Sequence, residues 1–306
     1  AGVTPRAMSG VLIAAMASTM VTSKSQIILL SHGSKRPAAW EQAGILSRQL
    51  AASLEADVRT ASIFFGREDS DDSSGSDMLP SLTLALRHAL HADGEQQTIV
   101  LPFVLGPSRA LRTEVPKVLS AFQAEHPAAD IKVGPCLAHA ADRQAVTTYL
   151  SPALEAEIGR VVQQESLQRP DVLVCDHGTA DADVAAVRHE IADTLRQRLG
   201  DGVRSVQTAP MERPSSISPG SSADDPLLEE RLRALPVGAH AVVVMAFLSP
   251  GRHAGENGDV AHIIAQALAE RPDLRVRTTR LLGDLPETLH LLRAIVTALL
   301  NAGRRL

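Results

Sequence analysis

The chain has very few aromatic residues and very few cysteines. Aromatics make up 2% of its 306 residues, so it lacks a set of rings on which nucleic-acid bases could stack. The formal net charge of -5 gives no basic excess to neutralise a phosphate backbone, and nucleic acid is not an expected partner. The two cysteines, Cys136 and Cys175, have no metal-ligand spacing and form no disulfide framework, which fits a reducing compartment.

Long apolar runs are also missing. The segment VLIAAMASTM, residues 11–20, is interrupted by Ser and Thr and is shorter than the roughly 20 apolar residues that cross a bilayer. It is also a weak match to a cleavable signal peptide. We therefore expect residues 1–25 to be a poorly ordered leader, and we expect a cytoplasmic protein without membrane contact.

The apolar residues that are present favour an α/β fold. Hydrophobic residues make up 44% of the chain, and with so few aromatics the core must consist of Ala, Leu, Val and Ile, which helices and buried parallel strands use. A length of 306 residues suggests two domains or one duplicated unit.

The sequence repeats itself at a nearly constant offset, which favours the duplicated unit. The run IILLSHGS is echoed by VLVCDHGT, so that His32 and His177 lie 145 positions apart. TIVLPFVLGPSR is echoed by AVVVMAFLSPGR, and HPAADIKVGPCLA by RPDLRVRTTRLLG, in the same order. We predict an N-terminal domain over residues 26–168 and a C-terminal domain over residues 169–306.

Each half alternates short apolar runs with longer stretches of helical periodicity, a pattern typical of a parallel sheet of about four strands flanked by helices. In the second half the predicted strands lie near 172–176, 203–209, 241–247 and 274–281, and the predicted helices near 181–198, 226–234, 259–270 and 285–300. Ligands of such sheets bind at the carboxyl ends of the strands.

Two segments rich in Ser, Asp and Gly follow the second strand of each half, at residues 67–77 and 212–225. Their composition is typical of loops. Their equivalent positions suit lids over a site, and a plain surface loop is an equally good interpretation.

Two histidines of the C-terminal half follow strands and are candidate metal ligands. His177 directly follows the run VLVCD, and His253 follows AVVVMAF through the turn LSPGR, so both lie at the ligand-binding edge of the predicted sheet. Neutral imidazole binds borderline divalent cations, and two imidazoles leave coordination positions open. Glu212 is the candidate third ligand, with Glu256 as a further carboxylate in the same turn as His253.

The N-terminal half has only part of this set. His32 matches His177, but Ala110 stands where the second half has His253, and alanine cannot bind a metal. Near Phe64 and Phe65 we find no counterpart of Glu212, although Glu68 lies close in the loop. We therefore predict a single active centre in the C-terminal half, with His32 as its vestigial counterpart.

These motifs resemble those of the class II sirohydrochlorin chelatases, the CbiX and SirB group, in their long duplicated form. The resemblance rests on SHGSKRP, on its second copy DHGTADA, and on the histidine-bearing turn FLSPGRHAGENGDV, and it covers the chain from about residue 26. HGT in place of HGS is a mild departure. The missing second histidine of the N-terminal half is a larger one.

The resemblance implies two chelatase-like lobes that face each other across a cleft. It implies insertion of Fe²⁺, for sirohaem, or of Co²⁺, for cobalamin, into sirohydrochlorin, with no tightly bound cofactor. In that family two histidines bind the incoming metal and a glutamate assists, and these roles fall on His177, His253 and Glu212. The substrate carries carboxylates, for which the candidate partners are Arg252, Arg109, Arg112 and Lys35.

Two other functions stay open from the sequence. A non-catalytic carrier of metal or tetrapyrrole could use the same pocket, although a carrier would favour a saturated ligand set. A periplasmic-type small-molecule binding protein also has two α/β lobes, but it needs a convincing signal peptide. Because the duplication already supplies two related lobes, we expect a monomer with an internal pseudo-twofold axis.

Overall fold

The computed structural model describes residues 25–68, 78–90, 97–138, 144–214 and 224–302. The predicted leader lies outside these residues except for Ser25, and so do residues 69–77 and 215–223 of the two loops. Whether those loops act as lids therefore stays a prediction. None of the helices within the described ranges is long and apolar enough to cross a membrane.

The N-terminal half forms one parallel sheet of four strands in the order β2-β1-β3-β4. Its elements are β1 (Ser25–Ser31), α1 (Pro37–Leu54), β2 (Asp57–Ser62), α2 (Leu82–Leu90), β3 (Gln97–Phe103), α3 (Val115–Glu125), β4 (Ile131–Val133) and α4 (Ser151–Gln164). A π-helical turn over Ala110–Glu114 leads into α3, and another over Val146–Leu150 leads into α4.

The C-terminal half repeats the arrangement with the strand order β6-β5-β7-β8. Its elements are β5 (Asp171–Cys175), α5 (Ala182–Leu199), β6 (Ser205–Thr208), α6 (Leu228–Arg233), β7 (His240–Met245), α7 (Asp259–Glu270), β8 (Arg275–Thr278) and α8 (Pro286–Ala302). The predicted α/β fold with two four-stranded parallel sheets is confirmed.

The last predicted strand was too long. The backbone leaves the sheet after Thr278, because the hydroxyl of Thr279 accepts a hydrogen bond from the Met245 N–H at 2.9 Å and donates one to the Arg280 carbonyl at 2.8 Å. The apolar residues that follow, Leu281 and Leu282, are buried outside the sheet. The hydrophobicity of Leu281 is the reason that the predicted strand extended to residue 281.

Alternate residues of the central strands face two different cores. In β1, Ile27 and Leu29 face inward, towards the other half of the chain, whereas Ile28 and Leu30 pack under α2 and α3. In β5, Val172 and Val174 belong to the same inner cluster as Ile27. The inner faces of both sheets therefore share one hydrophobic core, with helices between them.

The last helix of each half packs on the other half. Helix α4, which follows the first repeat, contacts α5 and β7 of the second, while α8 contacts α1 and β3 of the first. Leu299 and Ile295 of α8 lie over Gly134, just after β4. The boundary predicted between residues 168 and 169 stays a prediction, and the two repeats exchange their terminal helices across it.

A buried carboxylate fastens α4 to the second repeat. Glu157 is 2% exposed, and its two oxygens lie 2.6 Å from Arg160 Nη2 and 3.0 Å from Arg280 Nη2. The Arg280 N–H also donates to it at 3.0 Å. The hydrogen bonds from Arg160, followed by those from Arg280, outweigh burial and lower the pKa of Glu157 from 4.5 to about 2.

Replacing Glu157 with Gln is expected to lower the free energy of unfolding by about 1–2 kcal/mol at neutral pH, since charge-assisted hydrogen bonds are lost and their arginine partners are partly exposed. Because the folded pKa of Glu157 lies below its unfolded value of 4.5, the difference is full above that pH and disappears as pH falls towards 2. Urea unfolding across this range measures it.

Glu165→Gln is the control, because the Glu165 carboxylate pairs with Arg277 at 2.7 Å across the same junction but is 38% exposed. We expect a loss below about 0.5 kcal/mol from it. Equal losses for both variants at every pH would contradict the role given to Glu157.

Candidate functional site

The turn after β5 brings His177 beside Glu212. Gly178 has a φ of 90°, and a Cβ atom on it would lie 2.0 Å from the Glu212 carbonyl oxygen. The Glu212 N–H donates to the His177 carbonyl at 3.2 Å, which fixes the two chain segments side by side. Only glycine permits both this backbone conformation and this approach.

The side chains of His177 and Glu212 meet directly. Nε2 of His177 lies 3.0 Å from Oε1 of Glu212, and Nδ1 lies 3.0 Å from the Gly178 carbonyl oxygen. The two side chains are 49% and 52% exposed, so they can be reached from solvent. The predicted proximity of His177 and Glu212 is therefore present in the structure.

His253 reaches the same point from the turn after β7. Its ring centroid is 4.4 Å from that of His177, with the two planes at 70°. The turn is closed by a hydrogen bond of 2.7 Å from the Gly251 N–H to the Ala254 carbonyl, and the Val260 N–H donates to the His253 carbonyl at 3.1 Å. Both predicted histidines therefore lie side by side at the carboxyl edge of the C-terminal sheet.

Asp259 orients His253, and the sequence reasoning missed this role. Its Oδ2 lies 2.8 Å from Nδ1 of His253. A carboxylate at Nδ1 holds the proton there and leaves Nε2 available as a ligand, the arrangement found behind many metal-binding histidines. The available signal was an acidic residue six positions after His253, at the start of a predicted helix.

A buried arginine supports the turn that carries His177. Arg188 of α5 is 1% exposed, and its Nη1 donates to Oδ1 of Asp176 at 2.6 Å, while Nη2 contacts Asp225. The same Asp176 oxygen accepts the Gly178 N–H at 3.0 Å. Asp225 is the last residue of the 212–225 loop, which begins with Glu212. Through Asp176 and Asp225, Arg188 therefore holds both the turn that carries His177 and the end of the loop that carries Glu212. No motif in the sequence predicts this role of Arg188.

The N-terminal half repeats the turn with different side chains. Gly33 has a φ of 104°, and a Cβ atom on it would lie 1.9 Å from the carbonyl oxygen of Phe64, whose N–H donates to the His32 carbonyl at 3.0 Å. Phe64 is thus the structural counterpart of Glu212. Glu68 does not replace it, since Oε2 of Glu68 accepts a hydrogen bond from Ser81 at 2.9 Å.

His32 lies within electrostatic reach of the C-terminal site. Its pKa is lowered, first by desolvation and also by the charge of His177, while a backbone hydrogen bond at Gly33 acts in the opposite direction. The hydroxyl oxygen of Ser34 is 4.0 Å from the position of a Cβ atom on Gly251. The strand-end turns of the two halves therefore lie opposite each other.

The basic candidates differ in their surroundings. Arg109 and Arg112 line a cavity of about 540 Å³ between the halves, but Arg112 is engaged with Asp181 and, at 2.9 Å, with Asp183. Arg252 is 78% exposed and 3.5 Å from Asp259.

Two other candidates lie on exposed segments. The Nζ of Lys35 lies 5.1 Å from the ring centroid of Phe65. Glu256 is exposed, and it makes no hydrogen bond or ion pair with the residues that the structure describes.

Within the described ranges, no group of three His, Cys, Asp or Glu side chains is placed to hold a metal ion. The structure offers the His177–Glu212 and His177–His253 pairs, which share His177. An incomplete set of ligands of this kind suits a cation that is bound transiently rather than a structural metal. It also places a carboxylate and imidazoles where they can accept protons.

A family model described as CbiX matches residues 26–149 and 171–299. This chain belongs to the CbiX family. The matched ranges are the two repeats, so both halves of this CbiX family member carry the family pattern, and the whole of α4 falls between the two matched ranges. A comparison with curated proteins finds no match.

Solved structures with the same fold include SirB from Bacillus subtilis with Fe³⁺, at a TM-score of 0.67 and 14% identity, covering 92% of this chain and 98% of that one. The sirohydrochlorin chelatase SirB from B. subtilis subspecies spizizenii in complex with cobalt has a TM-score of 0.64 at 14% identity, with the same coverage of 92% and 98%. CbiX, the terminal enzyme for biosynthesis of siroheme in denitrifying bacteria, has a TM-score of 0.55 at 16% identity over 90% and 99%. At these identities the likeness shows the fold.

Replacing Gly178 with Ala is expected to destabilise the chain by about 3 kcal/mol, because the new methyl group meets the Glu212 backbone and the residue must keep a positive φ. Thermal unfolding measures the loss. Gly202→Ala is the control, since a Cβ atom there meets nothing within 4 Å and its φ is not in the positive range. Equal melting temperatures for the two variants would show that the close contact between Gly178 and the Glu212 backbone does not contribute to stability.

Proposed function

We propose that this CbiX family member is a metal chelatase that inserts a divalent cation into sirohydrochlorin. The observation that carries the proposal is that His177 lies beside both His253 and Glu212 at one strand edge, with 4.4 Å between the two imidazole centroids and 3.0 Å between Nε2 of His177 and Oε1 of Glu212. Family membership and the fold shared with SirB and CbiX support it.

In this proposal the metal is a substrate and no tightly bound cofactor is required. The Nε2 atoms of His177 and His253 bind the incoming cation, and Asp259 keeps the His253 tautomer that allows this. Two imidazoles and one carboxylate leave positions free for the pyrrole nitrogens that replace them.

Insertion of a dication releases two protons from the macrocycle, so the site also needs a base. Glu212 lies beside His177 and is half-exposed, which places it to accept one proton as the metal leaves the imidazoles, and an imidazole that the metal has left can accept the second. The basic side chains Arg109, Arg252 and Lys35 are the proposed partners of substrate carboxylates. Arg112 is a weaker candidate because Asp181 and Asp183 already pair with it.

Fe²⁺, for sirohaem, and Co²⁺, for cobalamin, are both proposed metal substrates. Imidazole and carboxylate accept either ion, and selection between them depends on geometry and supply.

We also propose a single active centre, a monomeric state and a cytoplasmic location. Ala110, buried at the start of a π-helical turn, supports the single centre, because the N-terminal half offers no second histidine there.

Chelatase activity is tested by anaerobic absorbance of sirohydrochlorin with Fe²⁺ or Co²⁺. We expect the wild-type chain to accelerate insertion, and we expect His177→Ala and His253→Ala each to lower the rate at least about 100-fold, since each removes a direct ligand. His290→Ala, a change of an exposed histidine on α8, serves as the control and should leave the rate unchanged. Binding of the tetrapyrrole without acceleration for either metal would favour the carrier function instead.

The role of Asp259 is tested by Asp259→Asn, which keeps the shape of the side chain but removes its charge. We expect Co²⁺ affinity to fall about 10- to 100-fold, as is typical when a partner of a ligating histidine is changed. Visible absorption of bound Co²⁺ measures it. Asp193→Asn, at an exposed ion pair with Arg196 on α5, should not alter it. If the two variants bind Co²⁺ with equal affinity, Asp259 does not support a metal-binding histidine.

A further inference from the structure

The N-terminal half places an exposed aromatic residue at the edge where the C-terminal half has Glu212 and Arg213. Phe64 takes the position of Glu212, and Phe65 follows it. The whole chain has five Phe, one Trp and one Tyr, yet Phe65 is 53% exposed. Single exposed apolar side chains are common on protein surfaces, so the backbone and the neighbours of Phe65 decide whether it marks a contact surface.

Phe65 is also held in an unfavourable backbone conformation. Its φ is 57°, a region that bulky side chains rarely adopt, whereas Arg213 is not among the described residues with positive φ. Glycine would fit this position without strain. Neither burial nor backbone preference therefore accounts for phenylalanine here, and such outliers cluster at sites that bind ligands.

The neighbours of Phe65 are suited to a flat, negatively charged molecule. The ammonium group of Lys35 lies 5.1 Å from the Phe65 ring centroid, and the ring of His32 lies 5.0 Å from that of Phe64. We call these four residues, His32, Lys35, Phe64 and Phe65, the aromatic face. It combines ring surfaces with a cation at the mouth of the cleft.

The aromatic face lies opposite the candidate metal ligands. The hydroxyl oxygen of Ser34, which lies between His32 and Lys35 in the chain, is 4.0 Å from the position of a Cβ atom on Gly251, in the turn that carries His253. A planar molecule resting on the aromatic face would thus present its other side towards His177 and His253.

We infer that the aromatic face is the docking surface for the tetrapyrrole, with the Phe65 ring stacked on the conjugated macrocycle and Lys35 paired with one of its carboxylates. The inference rests on the proposed function and divides it between the halves: the N-terminal half holds the ring and the C-terminal half delivers the metal. His32 is then part of the tetrapyrrole surface rather than the remnant of a metal site.

The test is Phe65→Gly, which removes the ring and relieves the backbone strain together. We expect the dissociation constant for metal-free sirohydrochlorin, measured by absorbance titration, to rise at least about tenfold. The reason is the loss of the stacking contact between the Phe65 ring and the macrocycle, which is comparable to the stacking of an aromatic side chain on a nucleic-acid base. The melting temperature should stay equal or increase. The dissociation constant for Co²⁺ alone should stay within about twofold of wild type, because the C-terminal ligands are untouched.

Two further variants test whether the effect depends on an aromatic ring at position 65. Phe65→Tyr keeps an aromatic ring and should bind sirohydrochlorin with wild-type affinity. Val237→Ala alters another exposed apolar side chain, 89% exposed and close before β7 at the opposite edge of the sheet, and should change nothing.

Phe65→Gly with wild-type tetrapyrrole affinity overturns the inference, even if the wild-type chain inserts metal. A lower melting temperature together with weaker binding of both ligands also overturns it, since Phe65 would then be structural. If the wild-type chain inserts no metal but Phe65→Gly still weakens tetrapyrrole binding, the docking surface stands and the proposed chelatase activity falls.

Discussion

The site depends on one close approach of two backbone segments, repeated once in each half. At Gly178 and at Gly33 the chain turns with a positive φ directly against a backbone carbonyl of the segment after the second strand, where no Cβ atom fits. This contact decides which side chain stands beside the strand-end histidine. The two halves differ at that place, which holds Glu212 in one and Phe64 in the other.

Around this shared frame the C-terminal half adds charged groups that the fold does not need. Asp176 and Arg188 correspond to Ser31 and Ala43 of the first half at the same offset of 145, and β1 and α1 form there without any ion pair at those positions. Burying charge is unfavourable unless geometry is well matched. The ionic network behind His177 is therefore not needed to form the sheet, and it holds the turn that carries His177.

Much of the architecture could be predicted because the repeat is visible in the sequence. The constant offset located both sheets, and the rule that ligands bind at strand ends located His177 and His253. The counterpart of Glu212 could not be found, because an offset of 145 pairs Phe64 with Ala209 rather than with Glu212. The helical turn Gly200–Gly202 adds three residues before β6 and shifts the register. Asp259 and Arg188 were missed because their contacts depend on turn and helix geometry.

The exchange of α4 and α8 gives the molecule the topology of two subunits that have swapped their last helices and have then been joined end to end. Half of such a chain, made alone, would leave the inner face of its sheet uncovered until a second copy supplied the helix. Joining the copies replaces an encounter that depends on concentration with an intramolecular one. It also allows the two copies to differ, which an exact homodimer cannot do, so that the strand ends of one half carry two histidines, His177 and His253, while those of the other half keep only His32.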